Sequence, residues 1–226
     1  MDPAQLKNWR KRMRAELVAK RQAVNAEERM RWNAALSIHL ERAFPNLARG
    51  VVAFCWPHQG EFDARFLIKK LRTRGAAAAL PVVIAPRTPL IFRQWHPGVK
   101  MANGALDIPY PAESGEVVPD TVLLPMNGFD EQGFRLGYGG GFFDRTLASL
   151  PKKPLVIGVT YELARLATIH PQPYDIPMDY IATERGVYAV SESKIELLAR
   201  HTPEPERAYS SPVCYAPPDY FGGGKG

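Results

Sequence analysis

The sequence predicts an α/β domain: a three-layer, sandwich-like arrangement with a mainly parallel central sheet and a basic N-terminal helix. Three observations carry that prediction. Short apolar runs rich in strand formers alternate along the chain with segments of helical period, the pattern of helices packed on the faces of a parallel sheet. The 226 residues suffice for one domain with a substantial core plus a small appendage. Hydrophobic residues make up 46% and charged residues 23%, a globular balance that excludes a chain disordered throughout.

The elements follow in order. Asp2 and Pro3 read as an N-cap with proline at the first helical position, so a helix is predicted over about 3–23. At 100° per residue, Leu6, Trp9, Met13 and Leu17 fall within an arc of about 80°, and Lys7, Arg10, Arg14 and Arg21 within an adjoining arc of about 60°. The helix thus carries an apolar stripe beside a basic one. Asn25 with Glu28 three residues on resembles a capping box, and a second helix is expected to stop before Pro45. The run 51–56 predicts a buried strand. Phe62, Phe66, Leu67 and Leu71 share one face of a helix predicted over 61–75 and ended by Gly75. Strands are expected over 80–85 and 90–95, loop over 97–120, and a strand over 121–126. Beyond the glycine-rich loop at 133–141, a helix is predicted over about 142–150, a strand over 155–160, a short helix over 162–169, and short strands over 181–183 and 187–190. The domain is placed at 1–201. The proline- and glycine-rich stretch 202–226 is predicted to be a disordered tail. No internal repeat is visible.

The most informative stretch is 123–145, LLPMNGFDEQGFRLGYGGGFFDR. A strand enters, Gly133, Gly137, Gly139, Gly140 and Gly141 loosen the backbone, and a helix leaves. Such a loop lets main-chain N–H groups approach an anion closely, and the helix start adds orphan donors with a partial positive charge. Arg135 supplies a fork suited to phosphate oxygens, and Asp144 in the first helical turn is a candidate Mg²⁺ ligand. The pattern matches neither a Walker loop nor a dinucleotide fingerprint: no Gly-Lys-Ser/Thr is present, and Phe142 stands where the third glycine would fall. Two adjacent aromatics, Phe142 and Phe143, do not both point inward at a helix start.

The formal charge is +6, with 29 Lys+Arg against 23 Asp+Glu, and residues 1–42 alone account for a net +5. The excess therefore sits on the first two helices rather than over the body, which favours a small phosphorylated ligand over a nucleic acid. Cys55 and Cys214 form no metal spacing, and a disulfide between them is left open. No apolar run approaches a membrane span and no signal-peptide core follows the N-terminus, so a cytoplasmic protein is expected.

The loop motif, with Pro125, Phe129 and Asp130 ahead of it, resembles that of the 5-formyltetrahydrofolate cyclo-ligases, or methenyltetrahydrofolate synthetases. Their hallmark is Gly-x-Arg-x-Gly-x-Gly-x-Gly-Tyr-Tyr-Asp, which stands here from Gly133 to Asp144. The likeness runs in the same order from about residue 5 to 190. It takes in the basic first helix, Glu61 and Asp63, and Asp175 with Asp179.

The resemblance implies an enzyme that uses Mg-ATP to close 5-formyltetrahydrofolate to 5,10-methenyltetrahydrofolate: the formyl oxygen is phosphorylated, N10 attacks the activated carbon, and phosphate leaves. Such a reaction needs positioning and charge neutralisation rather than a protein nucleophile. The resemblance assigns Arg135 and Arg14 to catalysis. It places ATP against Arg10, Lys11, Arg14, Arg135, Gly137, Tyr138, Gly139, Gly140, Gly141, Phe142 and Phe143. The folate falls to Trp56, Glu61, Tyr138 and Phe142, with Glu61 accepting from the pterin amino group, and Mg²⁺ to Asp144 and Asp175. Arg10 and Lys11 stand together where the family has one lysine, and which of them reaches phosphate is open. The chain departs from the pattern at Phe142-Phe143, where Tyr-Tyr is commoner, and at Tyr174, where His is common.

Two other readings stay open: a paralogue acting on another pterin-like or phosphorylated substrate, and a non-enzymatic phosphate- or nucleic-acid-binding module. The favoured reading implies small-molecule substrates, no nucleic-acid or membrane partner, and a monomer.

Overall fold

A computed structural model describes residues 1–104, 107–191 and 194–199. The predicted tail over 202–226 and Cys214 lie outside the described residues.

Helix α1 (Pro3–Gln22) begins as its sequence dictates: the Asp2 carboxylate accepts from Gln5 N, the Gln5 side chain accepts from Asp2 N, and Pro3 opens the first turn. Helix α2 (Ala26–Ala43) is capped by Asn25, whose side chain accepts from Glu28 N at 2.8 Å. Helices α3 (Arg65–Thr73) and α4 (Phe142–Ser149) follow later. The strands along the chain are β1 (Val51–Ala53), β2 (Ala77–Val82), β3 (Ile91–Trp95), β4 (Met101–Asn103), β5 (Pro109–Pro111), β6 (Thr121–Pro125) and β7 (Gly128–Asp130). They continue with β8 (Arg135–Leu136), β9 (Leu155–Val159), β10 (Arg165–Leu166), β11 (Tyr180–Thr183), β12 (Gly186–Ser191) and β13 (Lys194–Ala199).

Eight of these strands form the central sheet, in the order β13-β12-β11-β9-β6-β1-β2-β3. The pairings from β11 through β9, β6 and β1 to β2 are parallel, and antiparallel strands close both edges. Alternation along each strand divides the core into two layers. Val52 and Leu123 pack with Leu36 and Leu40 of α2 and Leu67 and Leu71 of α3. Their neighbours Ala53, Val122 and Leu124 pack on the other side with Phe143, Leu147 and Met178. Burial on both faces is why the central strands read as continuous apolar runs. The three-layer α/β arrangement is thus the observed one.

A small sheet, β10-β7-β8, lies beyond the second layer. The apolar stripe of α1 covers it, with Leu17 and Met13 against Leu136, Phe134, Leu166 and Ile169. Among the described residues, no helix is long and apolar enough to cross a membrane.

The chain leaves β1 for β2 on one side and returns to place β6 and then β9 on the other. The β1/β6 boundary is therefore the topological switch point. In open α/β sheets, ligands bind in the crevice beyond the carboxyl ends of the strands at such a point.

Several boundaries differ from expectation, each for a local reason. The strand predicted over 51–56 ends at Ala53: Phe54 keeps one backbone bond to Ala79 and packs in the core, and Cys55 and Trp56 then turn to the crevice. The helix predicted from residue 61 begins only at Arg65. Glu61 and Asp63 instead spend their side chains on the backbone N–H groups of His58 and Arg65. The strand predicted over 80–85 is β2, shifted toward the N-terminus to pair with β1 from Ala77. The loop predicted over 97–120 contains the β4–β5 hairpin. The short helix predicted over 162–169 is one 3-10 turn, Glu162–Ala164, followed by β10, which pairs in parallel with β7. Its helical period is real, but Leu166 and Ile169 serve the α1 cluster instead.

Candidate active site

A cavity of about 1270 Å³ opens at the switch point. Cys55, Trp56, His58 and Glu61 reach it from beyond β1, Pro125 from the end of β6, Arg10 and Arg14 from α1, and the stretch 135–145 from the glycine-rich loop and α4. The volume exceeds the roughly 300–1,000 Å³ usual for a single small ligand, so the crevice has room for two. Every residue that the resemblance assigns to ATP, folate or Mg²⁺ lines it except Lys11, which is exposed on α1. Lys11 lies off the arc shared by Arg10, Arg14 and Arg21, and it is Arg10 that reaches the cavity.

At one end, three guanidinium groups meet two carboxylates. Arg10 Nη2 lies 2.6 Å from Asp175 Oδ2 and also donates to the carbonyl of His170. The ring of His170 stacks edge-on with Trp9 at 4.8 Å, which makes that histidine a brace rather than a ligand. Arg135 Nη2 lies 2.7 Å from Asp144 Oδ1, and its Nη1 donates to the carbonyl of Ile176. Arg14 Nε donates to the carbonyl of Gly137 at 2.6 Å. Burial pulls Arg14 and Arg135 below the ordinary arginine value, with Arg10 adding to the effect at Arg14 and Asp144 opposing it at Arg135. Three cations against two anions leave this end net positive, which suits a polyphosphate.

The glycines have separate tasks. Gly139 sits at φ +92°, and a Cβ there would fall 3.0 Å from the Arg14 guanidinium carbon. A side chain there would be strained by the backbone and would press the Arg14 guanidinium off its place on the loop. Gly133, at φ +83°, turns the β7–β8 hairpin with Val190 packed directly against it, so its role is in the fold. The two phenylalanines divide as helix geometry requires: Phe143 packs into the core, while the Phe142 ring lies under the Arg145 guanidinium at 5.4 Å.

At the other end, Glu61 is only 6% exposed. Its Oε1 accepts from the Tyr138 hydroxyl at 2.7 Å and its Oε2 from His58 N at 3.1 Å. Trp56 stands beside it, flanked by Arg65 at 4.9 Å and Trp95 at 6.3 Å. Burial raises the Tyr138 phenol, with the Glu61 charge adding to it, so the hydroxyl remains a donor.

Burial also pushes the Glu61 carboxyl above its ordinary 4.5, against the opposing pull of Tyr138 and Arg21. The folded carboxyl then holds its proton more tightly than the unfolded one. Its contribution to stability is complete below about pH 4.5 and is lost as pH rises through the raised value. Glu61→Gln, with no proton to lose, is expected to flatten that fall in a series of Tm measurements from acid to neutral pH. A variant curve parallel to the wild type would contradict this.

Asp144 and Asp175 face the same cavity as the arginines. Magnesium takes one or two protein carboxylates and fills its remaining positions with phosphate and water oxygens, so Asp144 and Asp175 would suit the ion on exchanging their Arg135 and Arg10 partners for it. Among the described residues there is no group of three His, Cys, Asp or Glu that would cage a metal without such a partner.

Polar residues that sequence reasoning did not assign include Arg145 and His58 in the cavity lining and Arg21 behind Glu61. Arg145 follows the motif directly, and His58 sits three residues before Glu61. Arg21 lies in the basic arc of α1 with Arg10 and Arg14, and that arc was the signal available for it.

A family model described as the 5-formyltetrahydrofolate cyclo-ligase family matches residues 6–184. Among curated relatives, the 5-formyltetrahydrofolate cyclo-ligase of Escherichia coli strain K12 is 28% identical over 177 residues, covering 75% of this chain and 97% of that protein. The Haemophilus influenzae enzyme of the same name is 30% identical over 135 residues, covering 56% of this chain and 72% of that protein. The NMR structure of Aquifex aeolicus 5,10-methenyltetrahydrofolate synthetase superposes with a TM-score of 0.70 at 26% identity, covering 86% of this chain and 99% of that one. A 5,10-methenyltetrahydrofolate synthetase from Mycoplasma pneumoniae shares the fold, with a TM-score of 0.64 at 22% identity, over 77% of this chain and 98% of that one.

Proposed function

The chain belongs to the 5-formyltetrahydrofolate cyclo-ligase family, and from that premise we propose that it closes 5-formyltetrahydrofolate to 5,10-methenyltetrahydrofolate at the expense of ATP. The observation that carries the reading is the pairing, in one cavity, of an arginine-rich glycine cradle with a buried carboxylate beside a tryptophan. The first suits a polyphosphate. The second suits a flat heterocycle whose edge presents amino donors.

In this reading the γ-phosphoryl group passes to the formyl oxygen with release of ADP. N10 then attacks the formyl carbon, the C–O bond breaks, phosphate departs, and N10 loses its proton. The N5 lone pair completes the conjugated methenyl bridge. The residues position and neutralise rather than attack. Arg14 and Arg135 hold the phosphates, with Arg135 placed to stabilise charge on the transferring group. Arg10 and the loop Gly137, Tyr138, Gly139, Gly140 and Gly141 line the same end, with Phe142 and Phe143 at its helix. Trp56 supplies a ring face to the folate, Glu61 accepts from its pterin edge, and Tyr138 and Phe142 stand between the two substrates. Asp144 and Asp175 would hold Mg²⁺, which neutralises phosphate charge when bound.

The test is spectrophotometric. Purified protein with ATP, Mg²⁺ and 5-formyltetrahydrofolate is expected to develop the near-ultraviolet absorbance of the methenyl product with equimolar ADP. ATP consumption with another pterin but not this one would point to the paralogue reading.

The same proposal takes the enzyme as a cytoplasmic monomer of one domain over 1–201, with small-molecule substrates and no nucleic-acid or membrane partner. The basic arc of α1 supports it, because Arg10, Arg14 and Arg21 turn onto protein groups rather than outward. Gel filtration and the salt dependence of nucleic-acid retention check it.

Phe142→Tyr, which restores the commoner hydroxyl, is expected to change kcat/KM for either substrate by no more than about threefold, because the stacking face is retained. A tenfold loss would mean that the ring edge has no room beside the bound substrate.

A further inference from the structure

Arg21 stands outside every residue assigned so far, yet its side chain is only 3% exposed. Its Nε donates to the carbonyl of Gln59 at 3.0 Å and its Nη1 to that of Met126 at 3.4 Å. Its Nη2 donates to the Tyr138 hydroxyl at 3.2 Å and lies 3.9 Å from Glu61 Oε1. One guanidinium thus fastens α1 to the segment after β1, the end of β6 and the glycine-rich loop.

We propose that Arg21 is a positioning residue for the pterin end of the formyl substrate: it keeps Glu61 an oriented carboxylate and aims the Tyr138 hydroxyl at it. This rests on the reading of Glu61 as the pterin's acceptor. A carboxylate this deeply buried favours its neutral form unless a charge compensates it. Arg21 from α1 supplies that charge. The other groups facing Glu61 are His58 and Cys55 from its own segment and Tyr138 from the loop, while Arg29 of α2 comes close at Gly60. A protonated Glu61 would turn an O–H toward the amino donors of the pterin and lose an acceptor. Arg21 therefore acts on substrate affinity through Glu61, and its loss is felt most at low pH.

The test is a set of KM measurements on the full chain by the methenyl absorbance, from about pH 6 to pH 8. Arg21→Gln is expected to raise KM for 5-formyltetrahydrofolate about tenfold at neutral pH and further as pH falls, with KM for ATP held within about twofold. Glu61→Gln is expected to raise the same KM without the pH slope, and the double variant to match Glu61→Gln alone. If the two losses multiply, or if Arg21→Gln moves both KM values together, Arg21 does not act through Glu61. If Glu61→Gln alone leaves KM unchanged, the pterin role of Glu61 falls and the positioning role falls with it. A normal KM in Arg21→Gln beside a raised one in Glu61→Gln overturns only the latter role. Should Arg21→Gln not fold, Arg21→Lys decides: it keeps the charge but not the fork, so a raised KM with the wild-type pH profile is expected, and a wild-type KM overturns the proposal.

Discussion

Arg135→Ala is expected to lower kcat for cyclisation by a factor of about 10²–10³, the effect of removing one preorganised donor from a site where charge moves. The Arg135 side chain is 5% exposed and already fixed, with one Nη on Asp144 and the other on the Ile176 carbonyl. In the proposed reaction it would meet the charge on the transferring phosphoryl oxygens already oriented by these partners, and its burial would strengthen its field. Truncation also leaves Asp144 without its partner, so a fall in activity has two possible sources. The double variant Arg135→Ala/Asp144→Asn separates them. If the loss came only from the stranded carboxylate, the second change would recover activity; if Arg135 itself stabilises the transition state, the loss persists. Arg135→Lys keeps the charge without the fork and is expected to recover only part of the rate. A kcat for Arg135→Ala within tenfold of the wild type would remove the residue from catalysis.

The arginine-rich end of the cavity was legible in the sequence because its signals are local. A strand, five glycines, an arginine and an aspartate lie within one short stretch, and the helix after them begins at Phe142 as the pattern requires. The first helix was equally plain, since its cap, its apolar stripe and its basic arc are all read at fixed spacing. What the sequence hid depends on long-range pairing. The segment after Glu162 has a helical period, but β7 recruits Arg165 and Leu166 as a strand. Strand β13 was missed because its partner β12 supplies the reason for it. Glu61 taken alone is an ordinary acid near a helix start, and only the family resemblance singled it out; its depth and its contact with Tyr138, 77 positions on, exist only in the fold. Arg21 lay within a basic arc that a sequence alone cannot distinguish from a solvated face.

Asp130 is a motif residue that lies outside the cavity lining and holds the fold around it, and Asp130→Ala is expected to lower Tm by about 6–20 °C. The carboxylate is fully buried and accepts three backbone N–H groups: those of Gln132 and Phe134 on Oδ1, and that of Ile169 on Oδ2. The first two close the β7–β8 turn that delivers Arg135. The third ties that turn to the segment leading to Asp175. Alanine leaves all three donors without the acceptor they face, that of Ile169 in the buried interior and those of Gln132 and Phe134 part-buried. Hydrogen bonds to a charged group contribute about 1.5–3 kcal/mol each, and these three share one carboxylate, so a joint loss of about 3–5 kcal/mol is expected. At about 2–4 °C per kcal/mol for a chain of this size, the stated range follows. Asp130→Asn keeps one acceptor oxygen but turns an amide N–H₂ toward a donor on the other side, so it should lose roughly half as much. Both variants should also lower kcat at temperatures where they remain folded, because Arg135 and Asp175 are set by the two segments that Asp130 joins. Thermal unfolding followed by circular dichroism, with kcat measured well below the variants' Tm, checks both parts. A Tm within about 3 °C of the wild type for Asp130→Ala would mean that water or a shifted backbone satisfies the three donors. A normal kcat in a destabilised variant would mean that the arginine cradle holds its shape without the clamp.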